Sequence, residues 1–551
     1  MPHFKLTRVQ VIMLAALALG NLLLVGGMSA VVIHDLLSPS GPTPIPLTLA
    51  RGDAAPPTPL PLPTWTPVPT PTPQGLELLY VFTPGVCPFE IPDGAMIECG
   101  VVGVPETRGE VPAGVVQLAV ARYRSTASDP GDPLVYLTGG PGGDAVAASV
   151  NLYDVFMYPI LAERDIIIFD QRGTGRSKPF LECPEFHSVT EMDLQWNYSV
   201  ERLAAAYMDA ATRCRTRWEI RGVNLAAYTS AENAADVKDL ITTLGYERAT
   251  LYGASYGSRL ALTVMRDYPA VVRSAILDGV VPLEVHLFND QSARMDRLLR
   301  QLFVGCAANA ACRTAYPNLE SVYQSAIARH DAQPATVWSK RIGHKSYRVL
   351  VNGDWITGAI FFGAYDTELI RYLPMMLHDV SRGDYELLAW MLGNVGQKTD
   401  LSTGMYLSVN CHEEVFATTP AQLAADLAAY PHTESFANWS IYGTSETLFV
   451  LCETWHAAPF DPREAEPVLS DIPTLLLSGE YDPITPPAYG RMVAANLSAS
   501  QHYEFPGQGH VVGLWQSSCA VRIARDFISD PYAALDTACI QRTTGPDFIT
   551  R

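Results

Sequence analysis

The stretch Leu251-Tyr252-Gly253-Ala254-Ser255-Tyr256-Gly257-Ser258 holds a G-x-S-x-G pattern whose serine is a candidate nucleophile. A β-prone run, 249–252, precedes it and residues 259–265 read as the start of a helix. That is the strand, sharp turn and helix that push a serine hydroxyl out at the edge of a sheet. In so tight a turn, a Cβ at Gly253 or Gly257 would collide with the neighbouring strand or helix. A serine hydroxyl is a poor nucleophile near neutral pH, so it needs a histidine to take its proton and an acid to hold that histidine's tautomer. Asp482 and His510 follow in the order that an elbow of this kind requires, each in a loop after an apolar strand-like run. His412 and His502 are rival bases, the first within a helical region and the second at the start of a strand. Glu480 is the rival acid, still inside its strand end. Acyl transfer also needs N–H donors aimed at the developing oxyanion, and losing one typically costs about 10² to 10³ in rate. Tyr256, just after the nucleophile, supplies one. The loop Thr138-Gly139-Gly140-Pro141-Gly142-Gly143 supplies the other, with Gly140 the first choice and Gly139 the second, since Pro141 has no N–H. As a phosphate nest the same loop lacks the Lys-Ser/Thr of a P-loop and the setting of a dinucleotide fingerprint.

A scaffold has to bring these loops together. Residues 97–104 and 115–124 read as a hairpin, and 134–137, 165–170, 274–280, 473–479 and 501–505 as further strands, with helical stretches such as 150–161 between them. Strands alternating with helices predict a mostly parallel sheet covered on both faces. From 282 to 468 the rhythm changes to helical patterns such as 295–303, 319–328 and 421–429. This part reads as a helical cap inserted between a first core segment, 75–281, and a second, 469–551.

At 551 residues and 48% hydrophobic, the chain has ample material for a core. A net charge of −19, from 38 basic against 57 acidic residues, with no clustered Lys and Arg, argues against a nucleic-acid partner. Ten cysteines, Cys87, Cys99, Cys183, Cys214, Cys306, Cys312, Cys411, Cys452, Cys519 and Cys539, form no C-x-x-C pair. That removes the usual zinc and thioredoxin signatures, and no metal or cofactor is implied. Their close successive spacing suggests disulfides between sequence neighbours, with buried free thiols as the alternative.

Residues 9–33 are an almost unbroken apolar run behind Lys5 and Arg8. A run of this length suits a membrane-spanning anchor better than the shorter core of a signal peptide. The two cations would keep residues 1–8 cytoplasmic and send the rest outward, so the expected location is the cell membrane, single-pass, with the catalytic part outside. Secretion after cleavage near Gly27, Ser29 and Ala30 is the alternative. Residues 34–74 are rich in Pro and Thr, which excludes helix and sheet and predicts a polyproline II linker. At about 3.1 Å per residue it would reach roughly 100 Å.

The motifs TGGPGG, DQRGTGRS, GASYGS, LDGV, GEYDPITP and GQGH together resemble the proline iminopeptidase and tripeptidyl aminopeptidase group of α/β-hydrolases. The similarity covers the chain from about residue 75 onward. Thr138 stands where that group usually has a histidine. The surroundings of Cys306, Cys312, Cys411 and Cys452 are more like the secreted tripeptidyl branch. The resemblance implies an α/β-hydrolase fold, an oligopeptide substrate and acidic side chains in the cap that hold its α-ammonium. Glu413, after the cysteine, is the preferred match and Glu414 the second. The expected enzyme is therefore an aminopeptidase with a Ser255, His510 and Asp482 triad. An esterase of the same mechanism and a catalytically silent surface binding module are the alternatives, because this fold hosts many chemistries.

Overall fold

Runs such as Arg164–Phe169 and Thr474–Gly479 have every residue buried, as expected of strands covered on both faces. In the computed structural model, which describes residues 76–109, 113–340, 346–395, 401–439 and 445–550, these runs join one nine-stranded sheet. The apolar run 9–33 and the Pro/Thr-rich stretch 34–74 lie outside the described residues. Among the described residues, no helix is long and apolar enough to cross a membrane.

The sheet strands are β1 (Phe82–Gly85), β2 (Ile97–Thr107), β3 (Ala113–Tyr123), β4 (Gly131–Leu137), β5 (Arg164–Phe169), β6 (Ala249–Ala254), β7 (Val272–Asp278), β10 (Thr474–Gly479) and β11 (Ser500–Phe505). A separate antiparallel pair, β8 (Ala335–Lys340) and β9 (Ser346–Val351), lies in the insertion. The sheet order is β1-β2-β3-β5-β4-β6-β7-β10-β11. The β1–β2, β2–β3 and β3–β5 pairs are antiparallel, and every pair from β5 to β11 is parallel. The chain goes from β4 out to β5 and then returns to the other side of β4 with β6. Such a reversal leaves a crevice at the strands' carboxyl ends. The two loops that open there are the glycine loop after β4 and the serine turn after β6, brought side by side by the Leu137–Gly253 pairing.

Helix α1 (Ser230–Thr243) packs beside α2 (Tyr256–Asp267), the helix that leaves the serine turn. Between β7 and β10 the chain is largely helical, including α3 (Gln291–Ala308) and α4 (Gly353–Gly363). These helices close around an apolar cluster of their own that includes Met295, Leu302, Ile360 and Leu377. Three details depart from the sequence reading. Strand β1 and the β8–β9 hairpin were not expected. Residues 150–161 form three short turns, Ser149–Leu152, Tyr153–Met157 and Tyr158–Ile160, rather than one helix. Pro159 within the last of these has no N–H to continue a helical ladder.

Five disulfides join sequence neighbours: Cys87–Cys99, Cys183–Cys214, Cys306–Cys312, Cys411–Cys452 and Cys519–Cys539. Among the described residues no cysteine is free.

Candidate active site

Ser255 follows β6 with φ 56° and ψ −124°, a backbone region that residues with a side chain rarely adopt. Such a conformation persists only where its surroundings over-determine it. Here Ser255 N donates to Asp278 O at 2.8 Å. Ser258 Oγ donates to Ser255 O at 2.6 Å while accepting from Val281 N at 2.9 Å. The flanking glycines leave no room for anything larger. A Cβ on Gly253 would lie 2.3 Å from Gly257 O, and one on Gly257 would lie 1.9 Å from Leu137 O.

Asp482 and His510 meet although 28 residues separate them. His510 Nδ1 lies 2.7 Å from Asp482 Oδ2. A carboxylate only accepts, so Nδ1 carries the proton and Nε2 keeps its lone pair. Nε2 is buried and has no hydrogen-bond partner among the described residues. Asp482 is fully buried and saturated. Its Oδ1 accepts from Ile484 N at 2.9 Å and Thr485 N at 2.7 Å, and Oδ2 also accepts from Thr485 Oγ1 at 2.6 Å. The imidazole packs over Gly279, where a Cβ would come within 2.9 Å of its Cε1. Gly279 directly follows Asp278, the residue whose carbonyl holds Ser255, so serine and histidine are gathered at the end of β7. The Asp278 side chain secures the histidine loop, accepting from Val512 N at 2.8 Å, Gly513 N at 2.7 Å and Tyr252 Oη at 2.7 Å. Burial raises its pKa to about 6.

The glycine loop lies against the nucleophile. A Cβ on Gly139 would lie 2.9 Å from Ser255 Cβ and 3.0 Å from Ala254 O. The Gly139–Gly140 backbone is thus beside the serine, as is Tyr256 at the start of α2. The bracing of this loop comes from the motif DQRGTGRS, to which the sequence assigns no role beyond the family resemblance. Asp170 Oδ1 accepts from Ala145 N at 2.7 Å and Val146 N at 2.8 Å, and Oδ2 from Arg176 N at 2.7 Å. Gln171 Nε2 donates to Thr138 O at 2.9 Å.

The rival residues are engaged elsewhere. His412 Nδ1 lies 3.0 Å from Ala458 O, and its Nε2 lies 2.8 Å from Glu464. His502 Nε2 lies 3.0 Å from Ser478 Oγ. Glu480 accepts from Gln301 Nε2 at 2.6 Å and Gly507 N at 2.7 Å.

The two acidic residues Glu413 and Glu414 are both buried. Glu413, the preferred partner for a substrate ammonium, is 1% exposed and already answered by protein groups. It accepts from Ser230 N at 2.7 Å, Ser230 Oγ at 2.8 Å and Arg259 Nε at 3.0 Å. Ser230 Oγ also lies 2.8 Å from Tyr256 Oη, so Glu413 braces the residue after the nucleophile. Glu414 is less fully matched: Leu287 N donates to it, and Arg259 Nη1 stands 3.5 Å away. Burial raises its pKa to about 7 against the pull of Arg259.

The insertion also reaches the site. The Tyr365 ring meets the His510 ring edge-on, with centroids 4.9 Å apart. Ser402 N donates to Gly142 O at 2.8 Å, and Leu401 Cδ1 lies 2.9 Å from where a Gly140 Cβ would be.

A serine turn at the reversal of a mostly parallel sheet, faced by an Asp-held histidine, defines a serine hydrolase of the α/β-hydrolase type. Comparison with known proteins agrees: residues 132–347 match the alpha/beta hydrolase fold family, and residues 441–539 match the family described as TAP-like protein. The chain is 26% identical over 452 residues to the serine protease Hip1 of Mycobacterium tuberculosis, covering 78% of this chain and 84% of that one. It is 28% identical over 199 residues to the tripeptidyl aminopeptidase of Streptomyces coelicolor, covering 34% and 35% of the two chains. It is 30% identical over 159 residues to a probable proline iminopeptidase of the same organism, covering 29% and 36%. The resemblance read from the motifs is borne out: the chain is a relative of the tripeptidyl aminopeptidases and proline iminopeptidases among the α/β-hydrolases.

Proposed function

We propose that this protein is an extracytoplasmic serine exopeptidase that cleaves near the free N-terminus of oligopeptides. Ser255 attacks the scissile carbonyl. His510 takes the serine proton on Nε2 and returns it to the leaving amine, while Asp482 holds the ring in the tautomer that leaves Nε2 free. The N–H of Tyr256 and that of the Gly139–Gly140 segment stabilise the oxyanion, and water then releases the acyl group by the same route in reverse.

The observation that carries the exopeptidase reading is the insertion lying on both flanks of the site, Tyr365 against His510 and Leu401 against the glycine loop. An insertion that flanks the site on two sides suits a chain end better than the middle of a long polypeptide. Charge supports the same reading. Glu413 and Glu414 pair with Arg259, and Asp290 pairs with Arg294, whose charge also acts on Glu414, three carboxylates for two guanidiniums. A desolvated carboxylate in such a group favours an added ammonium, and Glu414 is the one with least compensation. The names of the Streptomyces relatives point in the same direction. Tethering through residues 9–33 and 34–74, with the disulfide-bonded part outside the cytoplasm, completes the proposal; secretion after cleavage is the alternative, and release by carbonate wash would favour it.

The deciding experiment compares chromogenic amides of one to three residues, with free and blocked amino termini, with simple esters. Free-amino peptides should be cleaved fastest, and Glu414→Gln should raise their KM about tenfold, the scale of one hydrogen bond to a charged group. Equal cleavage of blocked and free peptides would overturn the exopeptidase reading and favour an esterase. Failure of a fluorophosphonate to label Ser255 would overturn the hydrolytic one.

A further inference from the structure

The loop that carries His510 is bound to the insertion as well as to its own sheet. His510 N donates to Tyr365 O at 3.1 Å, and Gly509 N donates to Thr367 Oγ1 at 3.0 Å. Tyr365 lies in the turn after α4, and Thr367 opens the short helix Thr367–Ile370 that follows. One side chain closes this junction. Gln516 Oε1 accepts from Thr367 N at 2.8 Å and from Thr367 Oγ1 at 2.5 Å. Gln516 Nε2 donates to Tyr365 O at 3.1 Å and also to His510 O. The amide orientation is unambiguous, because the oxygen faces an N–H and the nitrogen faces two carbonyls. The fit is close. A Cβ on Gly509 would lie 2.6 Å from Ala364 O and 2.8 Å from Tyr365 O.

We infer that Gln516 is a positioning residue that locks the catalytic histidine to the Tyr365–Thr367 segment of the cap, so that His510 is aligned when the cap is seated. The inference rests on the hydrolase reading above. It deepens that reading by making the cap part of the machinery that orients the base. Small displacements suffice for a large effect, since misplacing a reacting group by about 1 Å can cost 10²-fold in rate. Among the described residues, Gln516 makes no hydrogen bond to Ser255 or Asp482, so its contribution is to alignment.

The test uses the full chain with two variants, Gln516→Met, which keeps side-chain length and removes all four bonds, and Thr367→Val, which removes the hydroxyl between Gly509 and Gln516. Three readouts are taken: fluorophosphonate labelling rate, kcat and KM on a small ester, and thermal unfolding. For Gln516→Met the expected result is a labelling rate and kcat per titrated site reduced at least tenfold, with KM within twofold. Thr367→Val should shift in the same direction by a smaller factor. Rates per titrated site within twofold of the unaltered protein would overturn the inference, and so would losses accounted for by a reduced folded fraction. If the unaltered protein is itself neither labelled nor active on the ester, the hydrolase reading fails and the inference falls with it. Normal labelling of the parent with unaffected variants would overturn the inference alone.

Discussion

Replacing Asp482 with asparagine changes one atom at the centre of the site, and the structure dictates where that atom must go. Oδ1 accepts two backbone N–H groups, from Ile484 and Thr485, so an amide nitrogen placed there would face two donors. The asparagine oxygen therefore keeps that position and the NH2 replaces Oδ2, opposite Thr485 Oγ1 at 2.6 Å and His510 Nδ1 at 2.7 Å. The threonine hydroxyl rotates to accept. The imidazole does the same by moving its proton to Nε2, the atom that must receive the serine proton. Every hydrogen bond is kept, so Asp482→Asn should fold with a stability change of about 1 kcal/mol or less, near the net value of one bond. Catalysis should suffer far more. A base locked in the wrong tautomer loses about 10⁴ in kcat in the comparable serine triad, which at 1.36 kcal/mol per factor of ten is roughly 5 kcal/mol of barrier. Ester turnover per folded molecule, with thermal melts of both proteins, measures the two effects separately. A loss of kcat under about tenfold in a fully folded variant would refute the reasoning, because it would mean that a different acid, Glu480 first among them, orients the ring.

Gly257→Ala should be among the most damaging single-methyl additions in the chain, since its Cβ would meet Leu137 O at 1.9 Å and Thr138 O at 3.0 Å, both backbone atoms. A loss of at least about 3 kcal/mol is expected. Gly109→Ala, where nothing lies within 4 Å, serves as the neutral control in the same denaturation series. A third prediction concerns pH. Burial opposes the charged form of His412, but the Glu464 carboxylate 2.8 Å away prevails and raises its pKa to about 9. A group whose pKa is higher folded than unfolded stabilises fully below its unfolded value, near 6.5, and loses that contribution as pH rises through 9. The melting temperature should therefore fall between pH 6.5 and 9, and Glu464→Gln should flatten that slope; an unchanged slope in the variant would show that other groups cause it.

Local chemistry made much of the site legible. A strand, a turn too tight for any Cβ and a helix are properties of about a dozen consecutive residues, so the elbow at Ser255 is written in its own neighbourhood. The α/β rhythm is legible for the same reason, because strands buried on both faces are continuous apolar runs such as Ile166 to Ile168. Where the local signal is weak the reading missed. Strand β1, Phe-Thr-Pro-Gly, contains two poor strand formers and survives by pairing at an edge. The β8–β9 hairpin is a short interruption among helices.

The sequence by itself determined the nucleophile's turn, the order in which acid and base follow it and the spacing of the cysteines, because each depends on neighbours or on chain order. The tertiary structure alone decided which charges are already matched. Nothing in the residues near Glu413 reveals that Arg259, 154 positions earlier, neutralises it, or that Glu414 beside it is less fully compensated. It also decided that Tyr365 of the cap and Gln516 of the core, 151 positions apart, meet beside His510. A carboxylate or an amide has the same sequence signature whether it binds substrate or braces the fold. Its role is set by the partner that folding places within 3 Å, and hydrogen bonds at that range carry no trace in the spacing of the chain.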